Sequence, residues 1–295
     1  MANTVGVIGL GNAGGAVARA LATQIPVIGF DLDEDRRVDA TRLGVECVGS
    51  LEEVTARAKR VILSLPKPEI SIAVTEALAA CPTPPELIIE TSTVTPKTAQ
   101  TSHAICAAEG IAFVDAAIAG GVASMAAGKI TFFLGGGEAD KALARPVLDL
   151  VADGIYDLGS IGSGMGTKVV NNGVMHAVMV VLVEAFTMSN KLGVPSQTMI
   201  DILNREEGLL RPLVHRVQER MQQGNYEGGM SVSNARKDSV LALETAQQLG
   251  VPLFATLAAH TPYEIAEARD MGDLDYASLA TLWEQWSDVS FKTGE

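Results

Sequence analysis

Six short apolar runs in the first half of the chain constrain its fold more than any other feature. The runs are continuous rather than alternating, and helix-like stretches separate them; they occupy residues 5–8, 27–30, 61–65, 87–90, 112–114 and 130–134. Continuous runs of this length are typical of strands covered on both faces, as in parallel sheets with crossover helices. The first half therefore predicts a mainly parallel sheet of the α/β class.

The pattern changes near residue 166, where the apolar runs stop and the sequence becomes typical of helices. Predicted helices span roughly residues 165–192, 196–205, 209–222, 236–248, 254–271 and 276–290. We therefore predict an α/β domain over residues 1–163 and an all-helical domain over residues 164–295.

Composition excludes several classes of protein. The 295 residues are 47% apolar and 19% charged, so the chain is not mainly disordered. The net charge of −13 argues against a nucleic-acid partner. Cys47, Cys81 and Cys106 are too few and too widely spaced for a disulfide framework or a metal cluster, which favours a reducing compartment and no metal site. The first residues lack the basic region of a signal peptide, so we expect a cytoplasmic protein.

One stretch, residues 174–182, is strongly apolar. A membrane span needs about 20 such residues, and Asn172, His176 and Glu184 interrupt the stretch too closely. We therefore expect no membrane partner, and a helix buried either in the core or in a subunit interface.

A Gly-x-Gly-x-x-Gly pattern directly follows the first apolar run and opens a predicted helix. In that context it is typical of a dinucleotide-binding turn, in which backbone N–H groups and the helix N-terminus hold a pyrophosphate. The domain over residues 1–163 is thus predicted to be a Rossmann domain. The predicted cofactor contacts in this turn are Gly9, Leu10, Gly11, Asn12, Ala13 and Gly14.

Asp31 ends the second run, at the spacing where a carboxylate accepts hydrogen bonds from the adenosine ribose hydroxyls. A carboxylate there repels a 2′-phosphate, so the sequence favours NAD. Arg36 and Arg37 follow closely, and they leave NADP possible.

The later strand ends carry further candidates, because ligands of an open parallel sheet lie outside the carboxyl ends of its strands. Leu65-Pro66 and Ser92-Thr93 each follow a run, and each could equally be an ordinary cap or turn. Gly120-Gly121 is more suggestive, because paired glycines can direct successive N–H groups at an anion such as a carboxylate.

Lys168 and Asn172 lie at i and i+4 near the start of the first predicted helix of the second half. A lone lysine there is most often a solvated residue. Asn171 and Asn172 on an apolar helix favour a polar site instead, because buried amides need partners. A lysine in such a site, near a cationic nicotinamide, could have a lowered pKa and act as an acid or base.

The sequence resembles the β-hydroxyacid dehydrogenase family, which includes 3-hydroxyisobutyrate dehydrogenase, tartronate semialdehyde reductase and 6-phosphogluconate dehydrogenase. The most specific likeness is the complete Gly-x-Gly-x-x-x-Lys-x-x-Asn-Asn signature. The resemblance runs over nearly the whole chain and rests also on the first glycine turn, Ser92-Thr93 with Pro96, Asp115–Gly121 with Gly128, and Lys237-Asp238.

The resemblance implies an NAD(P)-dependent enzyme that oxidises a short 3-hydroxy acid, or reduces the semialdehyde. It implies that Lys168 is the catalytic lysine and that Asn172 orients the substrate. It also implies a helical domain that forms dimers, hence a homodimer or homotetramer. The implied cofactor contacts are Leu65, Pro66, Thr93 and Lys237; the substrate contacts are Ser92, Ala119, Gly120, Gly121, Asn171 and Asn172.

Two positions depart from the family pattern Asp-x-Pro-Val-Ser-Gly-Gly, since Ala117 replaces its proline and Ala119 its serine. The lost serine removes a hydrogen bond to the substrate carboxylate, worth about 1.5–3 kcal/mol. Met230 also replaces a phenylalanine of many relatives. We therefore expect a more apolar site and a bulkier or less polar substrate.

Two other functions remain open from the sequence. One is an NADPH-dependent imine reductase, against which Lys168 and Asp31 both argue. The other is a cofactor-binding scaffold without turnover, against which the retained lysine and asparagine argue.

Overall fold

A computed structural model describes residues 4–206 and 208–293 of the chain. The chain forms two compact units, Met1–Gly173 and Val174–Glu295. Both units share one long helix, because the boundary between them falls inside α8 (Ser163–Lys191). The predicted domain boundary, between residues 163 and 164, lies at the start of that helix.

The first unit contains an eight-stranded sheet in the order β3-β2-β1-β4-β5-β6-β7-β8. All pairs from β3 to β6 are parallel, and all six predicted runs are strands, which confirms the predicted sheet. The strands are β1 (Val5–Ile8), β2 (Val27–Phe30), β3 (Glu46–Cys47), β4 (Arg60–Leu63), β5 (Leu87–Glu90), β6 (Ala112–Ala119), β7 (Ile130–Gly135) and β8 (Ala152–Asp157).

Helices cover both faces of this sheet, and this explains why the strands are apolar throughout. Neighbouring strand residues enter different cores: Val7 and Ile62 lie in one apolar cluster, whereas Ile8 and Val61 lie in another. The helices are α1 (Asn12–Ala22), α2 (Glu34–Arg42), α3 (Leu51–Thr55), α4 (Pro68–Ala79), α5 (Pro96–Ala108), α6 (Val122–Ala126) and α7 (Glu138–Leu148).

Three features of the sheet depart from the sequence pattern. Strands β6 and β7 pair antiparallel. The pattern missed β3, which has only two residues, and β8, whose side chains are mostly half-buried or exposed. An exposed edge strand does not need an apolar run, so β8 carries no such signal.

The second unit is helical, as predicted. After α8 it contains α9 (Ser196–Asn204), α10 (Val232–Leu249), α11 (Phe254–Glu267) and α12 (Ala280–Ser287). The predicted helix over residues 209–222 is shorter and irregular: residues 211–218 are helical, most of them in a π-helical segment, Leu213–Gln218, and a short 3₁₀ turn, Met221–Gln223, follows. Pro212 lies in the first turn of this stretch, where its missing N–H would have no helical partner.

The apolar stretch at residues 174–182 lies in α8, and most of its side chains are exposed within this chain. The expectation of a core position is therefore wrong, because the helical unit does not enclose this part of α8; a subunit interface stays a prediction. By length and composition alone α8 could also cross a membrane, since its most apolar window has a mean hydropathy of 1.6.

Candidate active site

The first and third glycines of the turn after β1 are required by the fold itself. Gly9 has a φ of +89°, and a methyl carbon there would overlap the carbonyl oxygen of Ser64. A methyl carbon on Gly14 would overlap the carbonyl oxygen of Gly9. These two glycines therefore allow the tight turn and the close packing of α1 on β1.

Gly11, the second glycine, has a different reason to lack a side chain. Its φ of −66° suits any residue, and the nearest group to an added methyl is the flexible Arg36 Nη1 at 3.5 Å. Among the described residues, no side chain caps the start of α1 at Gly11. The space and the uncapped N–H groups fit a dinucleotide pyrophosphate, which lies at a helix N-terminus in Rossmann domains.

Asp31 is nearly buried at the end of the second strand and holds the glycine turn in place. Its Oδ2 accepts the backbone N–H of Leu10 at 2.7 Å, and its Oδ1 accepts that of Asp33 at 2.9 Å. Arg36 Nη1 stands 3.5 Å from Oδ2. One carboxylate and one guanidinium thus lie together beside Gly11, where the adenosine half of a cofactor is expected.

A cavity of about 260 Å³ opens at the carboxyl ends of the central strands. It contains seven of the residues predicted to bind cofactor or substrate or to act in catalysis: Ala13, Leu65, Pro66, Ser92, Thr93, Gly120 and Lys168. The remaining lining residues, Ser64, Thr91, Ile118 and Met125, were missed, although Ser64 and Thr91 directly follow strands and could have been found from that position. The other predicted site residues lie outside this cavity lining.

Two hydroxyl groups join the strand ends that form the cavity floor. Ser92 Oγ accepts the backbone N–H of Leu65 at 2.7 Å, and Thr91 Oγ1 donates to the carbonyl oxygen of Leu63 at 2.6 Å. These bonds fix the turns after β4 and β5 against each other. Ser92, predicted to contact substrate, therefore has a backbone partner of its own.

Lys168 is a half-buried cation on the cavity wall, in the part of α8 that belongs to the first unit. Burial disfavours its charged form and lowers the pKa of its ammonium group below the ordinary value of 10.5. Asn171 and Asn172 are also half-buried, and Asn172 follows Lys168 by one helical turn.

Two buried acids near the cavity were not among the predicted site residues. Glu90 ends β5 and Asp115 lies opposite it on β6, and both have no exposed surface. Burial raises the pKa of both carboxyls, to about 7 for Glu90. Neither was given a role in the site, although Asp115 begins the segment that resembles the family pattern, because each lies within or directly after an apolar run, where a sequence gives no sign of its partners.

Of the paired glycines after β6, Gly120 lines the cavity and Gly121 lies next to it in the chain. Gly120 has a φ of +136°, and a methyl group on Gly120 or Gly121 would meet nothing within 4 Å. This open backbone fits the approach of a ligand. Ala119 precedes them, half-buried and paired with Thr131 of β7.

Lys237 lies in the second unit, on α10, with Nζ 3.1 Å from Asp238 Oδ1. It is well exposed. Its predicted contact with the cofactor stays a prediction.

The doubly wound sheet, its glycine turn and the cavity at the strand ends are the features of a dinucleotide-binding domain. Residues 4–162 match the family model for the NAD binding domain of 6-phosphogluconate dehydrogenase, and residues 162–283 match the one for the NAD-binding region of NADP-dependent 3-hydroxyisobutyrate dehydrogenase. The chain belongs to the β-hydroxyacid dehydrogenase family, and it is an NAD(P)-dependent oxidoreductase.

Curated relatives match the chain over almost its full length. A 2-(hydroxymethyl)glutarate dehydrogenase of Eubacterium barkeri is 30% identical and covers 99% of this chain and 98% of its own. A probable 3-hydroxyisobutyrate dehydrogenase of Mycobacterium bovis is 31% identical over 94% of this chain and 96% of its own.

Solved structures show the same fold. A Mycobacterium tuberculosis 3-hydroxyisobutyrate dehydrogenase, solved with L-serine, is 30% identical with a TM-score of 0.64, over 95% of this chain and 99% of that one. An imine reductase from Pseudomonas sp. has a TM-score of 0.85 at 18% identity, over 95% and 98% of the two chains, which is a likeness of fold alone.

Proposed function

We propose that this enzyme oxidises the primary alcohol of a 2-substituted 3-hydroxypropanoate with NAD⁺, with Lys168 as the general base. The observation that carries the proposal is Lys168 itself, a half-buried cation with a lowered pKa on the wall of the strand-end cavity. The named compounds of three relatives share one skeleton: 3-hydroxyisobutyrate, 2-(hydroxymethyl)glutarate and L-serine each carry a hydroxymethyl group next to the carbon that bears the carboxylate.

Different residues of this chain bind the cofactor, move the proton and orient the substrate. The N–H groups after Gly11 and the turn at Leu65-Pro66 hold the dinucleotide, whose nicotinamide ring supplies the hydride acceptor when bound. Neutral Lys168 takes the proton of the substrate hydroxyl, and its lowered pKa raises the fraction of lysine that is neutral near physiological pH. Asn172, one turn further along α8, orients the hydroxyl, and the N–H groups of Gly120 and Gly121 receive the carboxylate.

The group at carbon 2 of the substrate is expected to be apolar. Ile118 and Met125 line the cavity, and Ala119 offers no hydroxyl where the family pattern has serine. Burial of an alkyl substituent against these side chains is energetically favourable, whereas an ammonium or carboxylate group loses its hydration there.

A panel of hydroxy acids tests the proposal. With NAD⁺, kcat/KM should be highest for 3-hydroxyisobutyrate, lower for 2-(hydroxymethyl)glutarate and lowest for L-serine. The increase in NADH absorbance measures each rate. A cyclic imine with NADPH tests the alternative function, imine reduction. Imine-dependent loss of NADPH without turnover of any hydroxy acid would contradict the proposal, as would cofactor binding without any turnover.

Cofactor choice yields a prediction with two opposed variants. Asp31→Ser removes the charge that repels a 2′-phosphate and leaves Arg36 in place, so the ratio of kcat/KM for NADP⁺ over NAD⁺ should rise at least about tenfold, or about 1.4 kcal/mol. Arg36→Ala should lower the same ratio. Steady-state kinetics with both cofactors measures it, and an unchanged ratio in both variants would contradict the assignment of the adenosine site.

A second copy of the chain is the proposed partner of the apolar part of α8. Val174, Met175 and Met179 are each more than half exposed, and one helix carries them all. Sedimentation velocity without detergent should give a dimer or tetramer, and a monomer at micromolar concentration would contradict this.

The three free thiols support the proposed cytoplasmic location.

A further inference from the structure

Asp115 is a buried carboxylate to which the proposed function assigns no role. It lies in β6 with no exposed surface, between Glu90 of β5 and Gly135 of β7. A buried carboxylate is costly unless its charge is satisfied, so its partners indicate what it does.

The partners of Asp115 are N–H groups at the start of α8, one just before the helix and one in its first turn. Its Oδ1 accepts the N–H of Gly162 at 2.9 Å, and its Oδ2 accepts the N–H of Met165 at 2.8 Å. The helix also packs closely on the sheet, because a methyl group on Gly164 would overlap the carbonyl oxygen of Phe133. The first turn of α8 is therefore fixed by charge-assisted hydrogen bonds and by close packing.

Lys168 follows Met165 by three residues, so the turn that Asp115 holds directly precedes the lysine. We propose that Asp115 is a positioning residue: it anchors the first turn of α8 to the sheet and thereby sets where the Lys168 ammonium group lies in the cavity. The inference rests on the proposed role of Lys168. All of these residues lie in the first unit.

Glu90 is the buried acid that lies beside Asp115 on the neighbouring strand. Ser71 from α4, Ser92 from the following turn and Asp115 from β6 are the groups that act on its carboxyl. Its Oε1 accepts the Ser92 N–H at 2.8 Å, and its Oε2 has no partner among the described residues, which suits a protonated carboxyl. Burial and the charge of Asp115 raise the pKa of Glu90 to about 7, whereas Asp115 has both of its carboxylate oxygens bonded to N–H groups.

A double-mutant cycle tests the inference. Asp115→Asn keeps the shape, but its amide group faces an N–H donor, so the first turn loosens. We expect kcat for hydroxy acid oxidation to fall about 10- to 100-fold, with the Kd for NADH unchanged. In the Lys168→Ala background the same change should have no further effect on kcat, because a residue that acts through the lysine has nothing left to position.

Two further measurements separate positioning from general damage. Amide hydrogen exchange at residues 162–168 should accelerate at least tenfold in Asp115→Asn, while exchange in β1 and β4 stays slow. Asp140→Asn is the matched control, since Asp140 Oδ2 also accepts a backbone N–H, that of Phe113 in β6 at 3.3 Å, but lies outside the cavity lining. This variant should leave kcat and exchange at residues 162–168 unchanged.

Gly135→Ala gives a second route if Asp115→Asn does not fold. The added methyl would lie 2.6 Å from Asp115 Oδ1, and also 2.7 Å from the carbonyl oxygen of Ser160 and 2.8 Å from Ser163 Oγ. It therefore disturbs the contact between the carboxylate and the start of α8 without removing the charge, so kcat per NADH-binding site should again fall. The inference is overturned if these variants keep full kcat, or lose equal factors with and without Lys168. If Lys168→Ala itself keeps full turnover, the proposed function fails instead.

Discussion

Lys168→Ala is expected to lower kcat for hydroxy acid oxidation by about 10²–10⁴, because the variant has no group to take the hydroxyl proton. The Kd for NADH should change little, since the glycine turn and Asp31 hold the adenosine half without this side chain. Steady-state kinetics and cofactor fluorescence titration measure the two quantities separately. Loss of kcat with retained binding is the signature of a residue that acts on the reacting atoms.

The pH dependence of Lys168→Ala gives a second readout. In the unchanged enzyme, kcat/KM for oxidation should rise with pH as the lysine loses its proton, and burial places that rise below pH 10.5. For reduction of the semialdehyde the protonated lysine is the acid, so the rate should fall over the same range. In Lys168→Ala, both the rise of the oxidation rate with pH and the fall of the reduction rate should be absent.

Lys129→Ala is the control for this experiment, because Lys129 is an exposed lysine of the same unit outside the cavity lining. It should match the unchanged enzyme in kcat and in pH profile. A Lys168→Ala variant within twofold of the unchanged kcat would contradict the assigned role.

Gly11→Ala and Gly14→Ala should separate cofactor binding from folding. At Gly11 a methyl group fits the chain and φ is ordinary, so stability should hold or rise by about 0.4–1 kcal/mol through the unfolded state. The methyl occupies the space that fits the pyrophosphate, so the Kd for NADH should rise at least tenfold, or about 1.4 kcal/mol. At Gly14 the methyl overlaps backbone, so we expect a loss of about 1–3 kcal/mol of stability.

Gly137→Ala is the matched control, since Gly137 also precedes a helix, has an ordinary φ of −67°, and would place a methyl in open space. It should change neither the Kd for NADH nor the free energy of unfolding by more than about 1 kcal/mol. Urea denaturation and fluorescence titration of the three variants give both quantities. Unchanged NADH affinity in Gly11→Ala would exclude a pyrophosphate beside that residue.

Much of the sheet was predictable because a central strand that is buried on both faces needs a continuous run of apolar residues. The glycine turn was predictable too, since backbone overlap at Gly14 and the positive φ of Gly9 leave few alternatives to glycine. By contrast, β8 has an exposed edge and thus no run, and nothing in the sequence of residues 209–222 indicated that the helix there is mostly π-helical.

The cavity floor was harder to predict, because its polar partners are distant in sequence. Asp115 accepts N–H groups 47 and 50 positions further along the chain, and Ser92 accepts one from 27 positions before it. No local sequence pattern indicates hydrogen bonds between residues so far apart in the chain. Lys168 was found from its motif, whereas its lowered pKa depends on burial that only the folded chain provides.

Transfer of isotope from substrate to cofactor tests the central claim most directly. 3-Hydroxyisobutyrate deuterated at its hydroxymethyl carbon is incubated with NAD⁺ and the enzyme, and the reduced cofactor is analysed by mass spectrometry. The account predicts one deuterium in each NADH formed, and in Lys168→Ala the same labelled product at a far lower rate. NADH formed without deuterium, or at an undiminished rate in Lys168→Ala, would contradict it.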